Sequence, residues 1–135
     1  MDKKKQEIKN KTMFSTINDI ISSYTQKIYE YNNIVRKKGY YLKPVHIVVK
    51  KRRDGTRVKY YYYGRYWYRI EMRKNGSSKI KWIYLGKEKP EKDLPDPPEN
   101  PLEGLVVRVD DEGVSLNKSL HEILKFVKDL AEKEE

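Results

Sequence analysis

Cysteine is absent from this 135-residue chain, which excludes disulfides and thiolate metal sites. Histidine occurs only at His46 and His121, with no partner at metal-ligand or catalytic spacing. Long apolar runs are also missing. Nothing approaches the roughly 20 residues of a membrane span, and the Lys-rich start lacks the apolar core of a signal peptide. These absences lead to the expectation of a soluble, cytoplasmic protein that does not enter a membrane. Acidic side chains are scarce over most of the chain. Residues 1–89 hold 24 Lys and Arg against 7 Asp and Glu, whereas residues 90–135 hold 6 against 13. A basic body followed by an acidic segment points to a polyanionic partner for the body.

What the chain has in abundance is tyrosine. Residues 58–69, Val-Lys-Tyr-Tyr-Tyr-Tyr-Gly-Arg-Tyr-Trp-Tyr-Arg, hold six of the twelve tyrosines and one of the two tryptophans. A core cannot easily absorb so many hydroxyl-bearing rings, because each buried Tyr needs a hydrogen-bond partner. Alternate side chains of a strand point to opposite faces, so some of these rings must lie outside beside cations. Exposed rings mixed with cations suit a partner that carries both phosphates and π-faces.

The spacing of apolar residues organises the rest. Residues 1–12 read as a basic flexible arm. A helix capped by Ser15 is expected over 15–38, with Ile17, Ile21, Tyr24, Ile28, Tyr31 and Val35 forming a heptad seam and Gly39 a left-handed stop. That seam packs either on the chain's own sheet or across a homodimer. Two hairpins follow. Val45–Lys51 turns at Asp54-Gly55 and returns over Thr56–Tyr63; Gly64 marks a bend or bulge. Arg65–Arg73 and Lys79–Leu85 form the second hairpin around Asn75-Gly76. An odd-length loop there pairs even with even positions, setting Tyr68 and Ile70 near Trp82 and Ile80, and Glu71 near Lys79 or Lys81. The Tyr66, Tyr68, Ile70 and Met72 face is then expected beneath the helix, with Arg65, Trp67, Arg69, Arg73, Lys79 and Lys81 on the open side.

Residues 90–103 form a Pro-rich acidic linker. Beyond it, 104–135 reads as an acidic unit: a strand over Leu105–Val109, a turn at Asp110–Gly113, a return to Leu116, and a helix capped by Asn117 or Ser119. The fold class is therefore α+β, with an N-terminal helix on an antiparallel sheet of about four strands bent into a half-barrel, then a small β-hairpin and C-terminal helix. The acidic unit is a candidate docking site for a protein partner.

Catalytic motifs are missing: no glycine-rich phosphate loop, serine elbow or paired carboxylates, and no cofactor signature. Asp110-Asp111-Glu112 lacks the ligand alternation of a calcium loop and reads as an acidic turn. The expectation is a non-enzymatic nucleic-acid-binding protein, with double-stranded DNA favoured over RNA or a single strand. Lys50, Lys51, Arg52, Arg53, Arg57 and Lys59 around the first turn would contact phosphates. Arg65, Arg69, Arg73, Lys79 and Lys81 would extend that surface, and Trp67 would stack or wedge. Trp67 has a competing place in a small core with Ile83 and Leu85, under the C-terminal helix. The rival function is a protein-interaction module that uses the aromatic face as a hot spot, since Tyr, Trp and Arg dominate those too.

Three segments carry a resemblance: Tyr60-Tyr61-Tyr62-Tyr63-Gly64-Arg65-Tyr66-Trp67-Tyr68-Arg69, then Lys74-Asn75-Gly76, then Lys79-Ile80-Lys81-Trp82-Ile83-Tyr84-Leu85-Gly86. Over residues 15–89 the chain resembles small proteins of archaea and of their plasmids and viruses, with a Tyr-rich strand, a Gly turn and a Lys/Arg strand ending in Tyr-Leu-Gly. The resemblance implies a mobile-element setting in a thermophile and no particular activity. A charged fraction of 37% leans the same way.

Overall fold

The computed structural model describes residues 3–72 and 80–133. Its elements run α1 (Lys3–Val35), a single 3₁₀ turn (Arg36–Lys38), β1 (Tyr40–Lys51), β2 (Arg57–Met72), β3 (Ile80–Gly86), β4 (Val106–Asp110), β5 (Gly113–Leu116) and α2 (Leu120–Lys133). The architecture is α+β, with five antiparallel strands in one open sheet.

Helix α1 begins well before the expected cap at Ser15, so residues 3–12 are helical and not a flexible arm. No Gly or Pro interrupts them, and once the packed turns downstream are fixed each further residue adds to the helix at little cost. The heptad seam is real and fully used. Ile17, Tyr24, Ile28, Tyr31 and Val35 are all buried against the chain's own sheet, which leaves the seam no free face for a second helix. Gly39 stops the helix as expected, with φ of 87° and its N–H donated to the Arg36 carbonyl.

Strand β2 is the spine. One edge pairs with β1 along its length, from Tyr40 opposite Arg69 to Lys51 opposite Arg57. The other edge is shared: β4 takes Lys59–Tyr62 and β3 takes Trp67–Met72. The β4–β5 hairpin, read from sequence as part of a separate unit, thus joins the main sheet, and α2 places Ile123 in the same core as Ile17 of α1. The second hairpin has the even-with-even register: Ile70 faces Trp82, Glu71 faces Lys81 and Met72 faces Ile80. Its Asn75-Gly76 turn lies outside the described residues.

The bend expected at Gly64 is a one-residue mismatch. Pro44 on β1 stands against Gly64 and Arg65 on β2. Proline lacks the N–H a ladder needs, so the strand pair must give way at that point. Asn100 fills the break. Buried at 1% exposure, it donates to the Pro44 and Gly64 carbonyls, both at 3.0 Å, and accepts from the Leu102 N–H at 2.9 Å.

The Pro-rich segment 90–103 is a strap, not a linker. Leu94 and Leu102 are buried in the two cores beneath the helices. Tyr31 and Tyr24 of α1 donate their hydroxyls to the Pro95 and Pro98 carbonyls at 2.5 and 3.1 Å. Prolines hold the backbone extended, which leaves carbonyls free to accept from side chains. Burial is the main force raising both phenol pKa values, with Tyr31 pushed up to about 12. Among the described residues, no helix is long and apolar enough to cross a membrane.

Candidate nucleic-acid interface

The two faces of the sheet are used in the opposite sense to the sequence expectation. Helix α1 covers the odd positions of β2, where Trp67 is 0% exposed. Trp67 lies opposite Leu42 and meets Tyr31 edge-on at 6.0 Å, in a core with Val35, Tyr40 and Leu94 and with Leu85 packed against it. It cannot touch a ligand. The competing core placement was right about Leu85 and wrong about the helix, which is α1. The two sides of β2 differ in hydroxyl count: the odd side carries Trp67 with Tyr61 and Tyr63, the even side Tyr60, Tyr62, Tyr66 and Tyr68, so covering the odd side leaves fewer hydroxyls in need of a buried partner. Arg65, Arg69 and Lys81 share the odd parity but stay exposed around this core.

Beyond the buried Val58, the even side of β2 is left open. Tyr60, Tyr62, Tyr66 and Tyr68 of β2 are joined there by Tyr41 and His46 of β1 and by Trp82 and Tyr84 of β3. The rings form an unbroken series. Tyr60 stacks on Tyr62 at 6.1 Å, and His46 bridges Tyr62 and Tyr66 at 6.4 and 5.4 Å. Tyr84 then bridges Tyr66 and Tyr68 at 6.3 and 5.5 Å. Trp82 ends the series, edge-on to both Tyr68 and Tyr41 at 6.1 and 5.3 Å. Cations sit over both ends: Lys50 above Tyr60 at 5.2 Å, and Lys43 above Tyr68 and Trp82 at 5.0 and 5.7 Å. Trp82 and Tyr84 remain 46% and 52% exposed. Midway, His46, Tyr66, Tyr68 and Tyr84 line a depression of about 280 Å³. Burial, then the neighbouring Tyr84, raises the Tyr66 pKa, keeping that hydroxyl protonated and able to donate. From Tyr60 to Tyr68 the row spans roughly 25 Å at about 3.3 Å per residue.

The first turn is held as its sequence suggests. Gly55 has φ of 89°, and Asp54 Oδ1 accepts from the Thr56 N–H and hydroxyl at 3.0 and 2.6 Å. These bonds hold the Asp54 carboxyl below its ordinary pKa. Strand alternation divides the cations around it. Lys50 is on the aromatic side, whereas Lys51, Arg57 and Lys59 gather on the other, with Arg53 exposed at the turn. Arg52 is tied to Asp110 at 3.5 Å, a carboxylate that also holds Arg108 at 3.2 Å. Arg65 is paired with Glu103 at 2.9 Å and Arg69 with Glu71 at 3.7 Å. Arg73 and Lys79 lie outside the described residues.

Sequence reasoning missed Tyr41, Lys43, His46, Trp82 and Tyr84 as surface residues. The signal was small: the even face of β2 carries Tyr at four positions, the odd face Tyr at two, Trp67, and charged residues whose stems can snorkel past a helix. Elsewhere Asp110 Oδ1 caps the acidic turn by accepting from the Glu112 and Gly113 N–H groups at 2.9 and 3.1 Å. Among the described residues, no three His, Asp or Glu side chains gather as metal ligands would. The class defined so far is thus an α+β protein with one sheet face under its helices and the other an open aromatic surface. No protein-family model matches the chain, and comparison with curated proteins and with solved structures finds no match.

Proposed function

We propose that this is a non-enzymatic, intracellular nucleic-acid-binding protein that holds a single strand along the open aromatic face. The observation that carries the reading is the uncovered series of eight rings with lysines over both ends. Unpaired bases stack on such rings at about 1–3 kcal/mol each, whatever their identity. Three stacked bases would contribute roughly 3–9 kcal/mol, which reaches the micromolar range near 8 kcal/mol. Lys43 and Lys50 stand where phosphates between stacked bases would pass. Lys51, Arg53, Arg57 and Lys59 extend the positive field beyond the end of the row.

A duplex suits this surface less well, because its base faces are turned inward. The residues expected to grip a duplex are also diminished. Trp67 is in the core, and Arg52, Arg65 and Arg69 each already face a carboxylate.

One feature favours a protein partner. Ile80, 48% exposed, lies beside Trp82 and Tyr84 and adds aliphatic surface that phosphates do not use. Fluorescence anisotropy with labelled single-stranded DNA, RNA and duplex, each across a salt series, separates the readings. Stacking with phosphate contacts predicts tighter binding of single strands and a log–log salt slope of about −0.7 for each phosphate neutralised. Preference for duplex would overturn the strand reading. No binding at low salt would leave the protein-partner reading.

A further inference from the structure

We propose that two copies of the chain pair through the free edge of β1, antiparallel about a two-fold axis at Val48, so that their sheets become one. The hydrogen-bond phase of β1 decides which groups are free. Arg52 N–H donates to the Thr56 carbonyl at 2.8 Å, which sets positions 52 and 56 in the phase of a hydrogen-bonded pair across the hairpin. Alternation makes Lys50–Val58 and Val48–Tyr60 the next such pairs, so Ile47, Val49 and Lys51 turn their N–H and C=O groups away from β2. The far edge agrees: Tyr63, opposite Val45, donates its N–H outward to the Leu105 carbonyl at 3.0 Å. None of the outward groups of 47, 49 and 51 has a partner among the described residues.

The open stretch is bounded on both sides. Upstream, Asn32 acts as a neighbouring strand for Leu42, accepting from its N–H and donating to its carbonyl at 2.9 Å each, and Pro44 has no N–H to offer. Downstream, the chain turns at Arg52–Thr56. Between them lie seven residues, Val45–Lys51, with Ile47 and Val49 still 50% and 49% exposed. An edge with unpaired N–H and C=O groups and exposed apolar residues at its centre is a template for another strand.

The occupant the sequence fits is the same segment. With Val48 opposite itself, Ile47 faces Val49 of the second copy, Lys51 faces Val45 and Lys50 faces His46. Apolar residues meet at the centre, the lysines lie at the two ends, and no like charges stand opposite. A two-fold axis at Ile47 would instead set Lys51 against Lys43 and Lys50 against Pro44. Pairing about Val48 also brings a lysine from the second copy beside His46 in the middle of the ring series. If the open face binds a strand, the dimer lengthens it. The pairing itself does not depend on that function.

The test uses the full chain without nucleic acid. Light scattering across a concentration series should show a dimer, and Ile47→Lys should weaken it by about tenfold or more while the circular dichroism spectrum stays unchanged. With no native cysteine, Val48→Cys places one thiol opposite itself at a pair whose Cα atoms are about 4.5 Å apart, within disulfide reach. Mild oxidation should cross-link Val48→Cys to itself. Ile47→Cys and Val49→Cys should cross-link to each other when mixed and not to themselves. A monomer at every concentration, a dimer indifferent to Ile47→Lys, or self-cross-linking at 47 in place of 48 would each overturn the proposal. A failed nucleic-acid titration would not bear on any of these outcomes.

Discussion

The two tryptophans should behave as opposites. Trp67 is fully buried, and Trp67→Ala removes an indole packed edge-on to Tyr31 and against Leu42. Emptying an aromatic core site costs about 3–5 kcal/mol. Part is returned, because the Trp67 indole N–H is buried with no hydrogen-bond partner among the described residues, and such a group carries a penalty of about 1–3 kcal/mol. The net loss is therefore about 2 kcal/mol. At about 3–4 °C per kcal/mol for a chain of this size, the melting temperature should fall by roughly 6–8 °C. Trp67→Phe keeps a ring and drops the orphan donor, and should lose about 1 kcal/mol or less. Trp82 is 46% exposed, meets Tyr41 and Tyr68 edge-on and lies under Lys43, so Trp82→Ala should cost about 1 kcal/mol or less. Thermal unfolding followed by circular dichroism reads both. Iodide quenching then separates the indoles: fluorescence of Trp82→Phe, from Trp67 alone, should resist quenching, while that of Trp67→Phe should be quenched freely. If Trp82→Ala destabilises more than Trp67→Ala, or if Trp67 is open to iodide, the assignment of the two sheet faces is refuted.

Asn100→Ala strips partners from two carbonyls and one N–H at the Pro44–Gly64 break, and should cost about 2–4 kcal/mol by urea denaturation, an effect far above that of an ordinary surface change. Stability should also fall in alkali. The raised pKa values of Tyr24 and Tyr31 mean that the folded state holds these protons more tightly than the unfolded chain does. Their contribution is complete below the unfolded pKa near 10 and is lost as pH rises towards 12, and the double variant Tyr24→Phe, Tyr31→Phe should flatten that decline. Asp110→Asn keeps an oxygen to cap the turn but releases Arg52 and Arg108 from their shared carboxylate. It should tighten nucleic-acid binding and steepen the salt slope by up to about 1–2, measured by anisotropy; an unchanged slope would show that these guanidiniums do not reach phosphate.

Much of the fold can be read from local pattern. The heptad from Ile17 to Val35, the stop at Gly39, the Asp54-Gly55 turn and the even-with-even register of Tyr68, Ile70, Trp82 and Ile80 all depend on spacing within one or two adjacent elements. What escaped depends on distant contacts. Parity separates the two faces of β2 but does not say which of them the helix covers. That choice rests on the summed cost of burying four tyrosines against two tyrosines and a tryptophan, and on Leu42 and Leu85 arriving from other strands. Proline content marked 90–103 as extended, yet only packing reveals that Leu94 and Leu102 enter the cores and that α1 tyrosines bond its carbonyls. Net charge likewise pointed to Arg65, Arg69 and Arg52 without showing the carboxylates of Glu103, Glu71 and Asp110 that already face them. The aromatic run therefore pointed to the segment that carries the open ring series, but to the opposite side of it.

The most direct test of the central claim is a titration of Trp67→Phe, which retains Trp82 as its sole indole, with an unlabelled single-stranded oligonucleotide while its fluorescence and its binding are followed together. Stacking on the open face predicts that Trp82 emission is quenched in step with binding, and that Tyr66→Ala or Tyr84→Ala weakens both by about 1–3 kcal/mol. Binding that leaves Trp82 unchanged would place the strand elsewhere, on the hairpin cations, and would contradict the account.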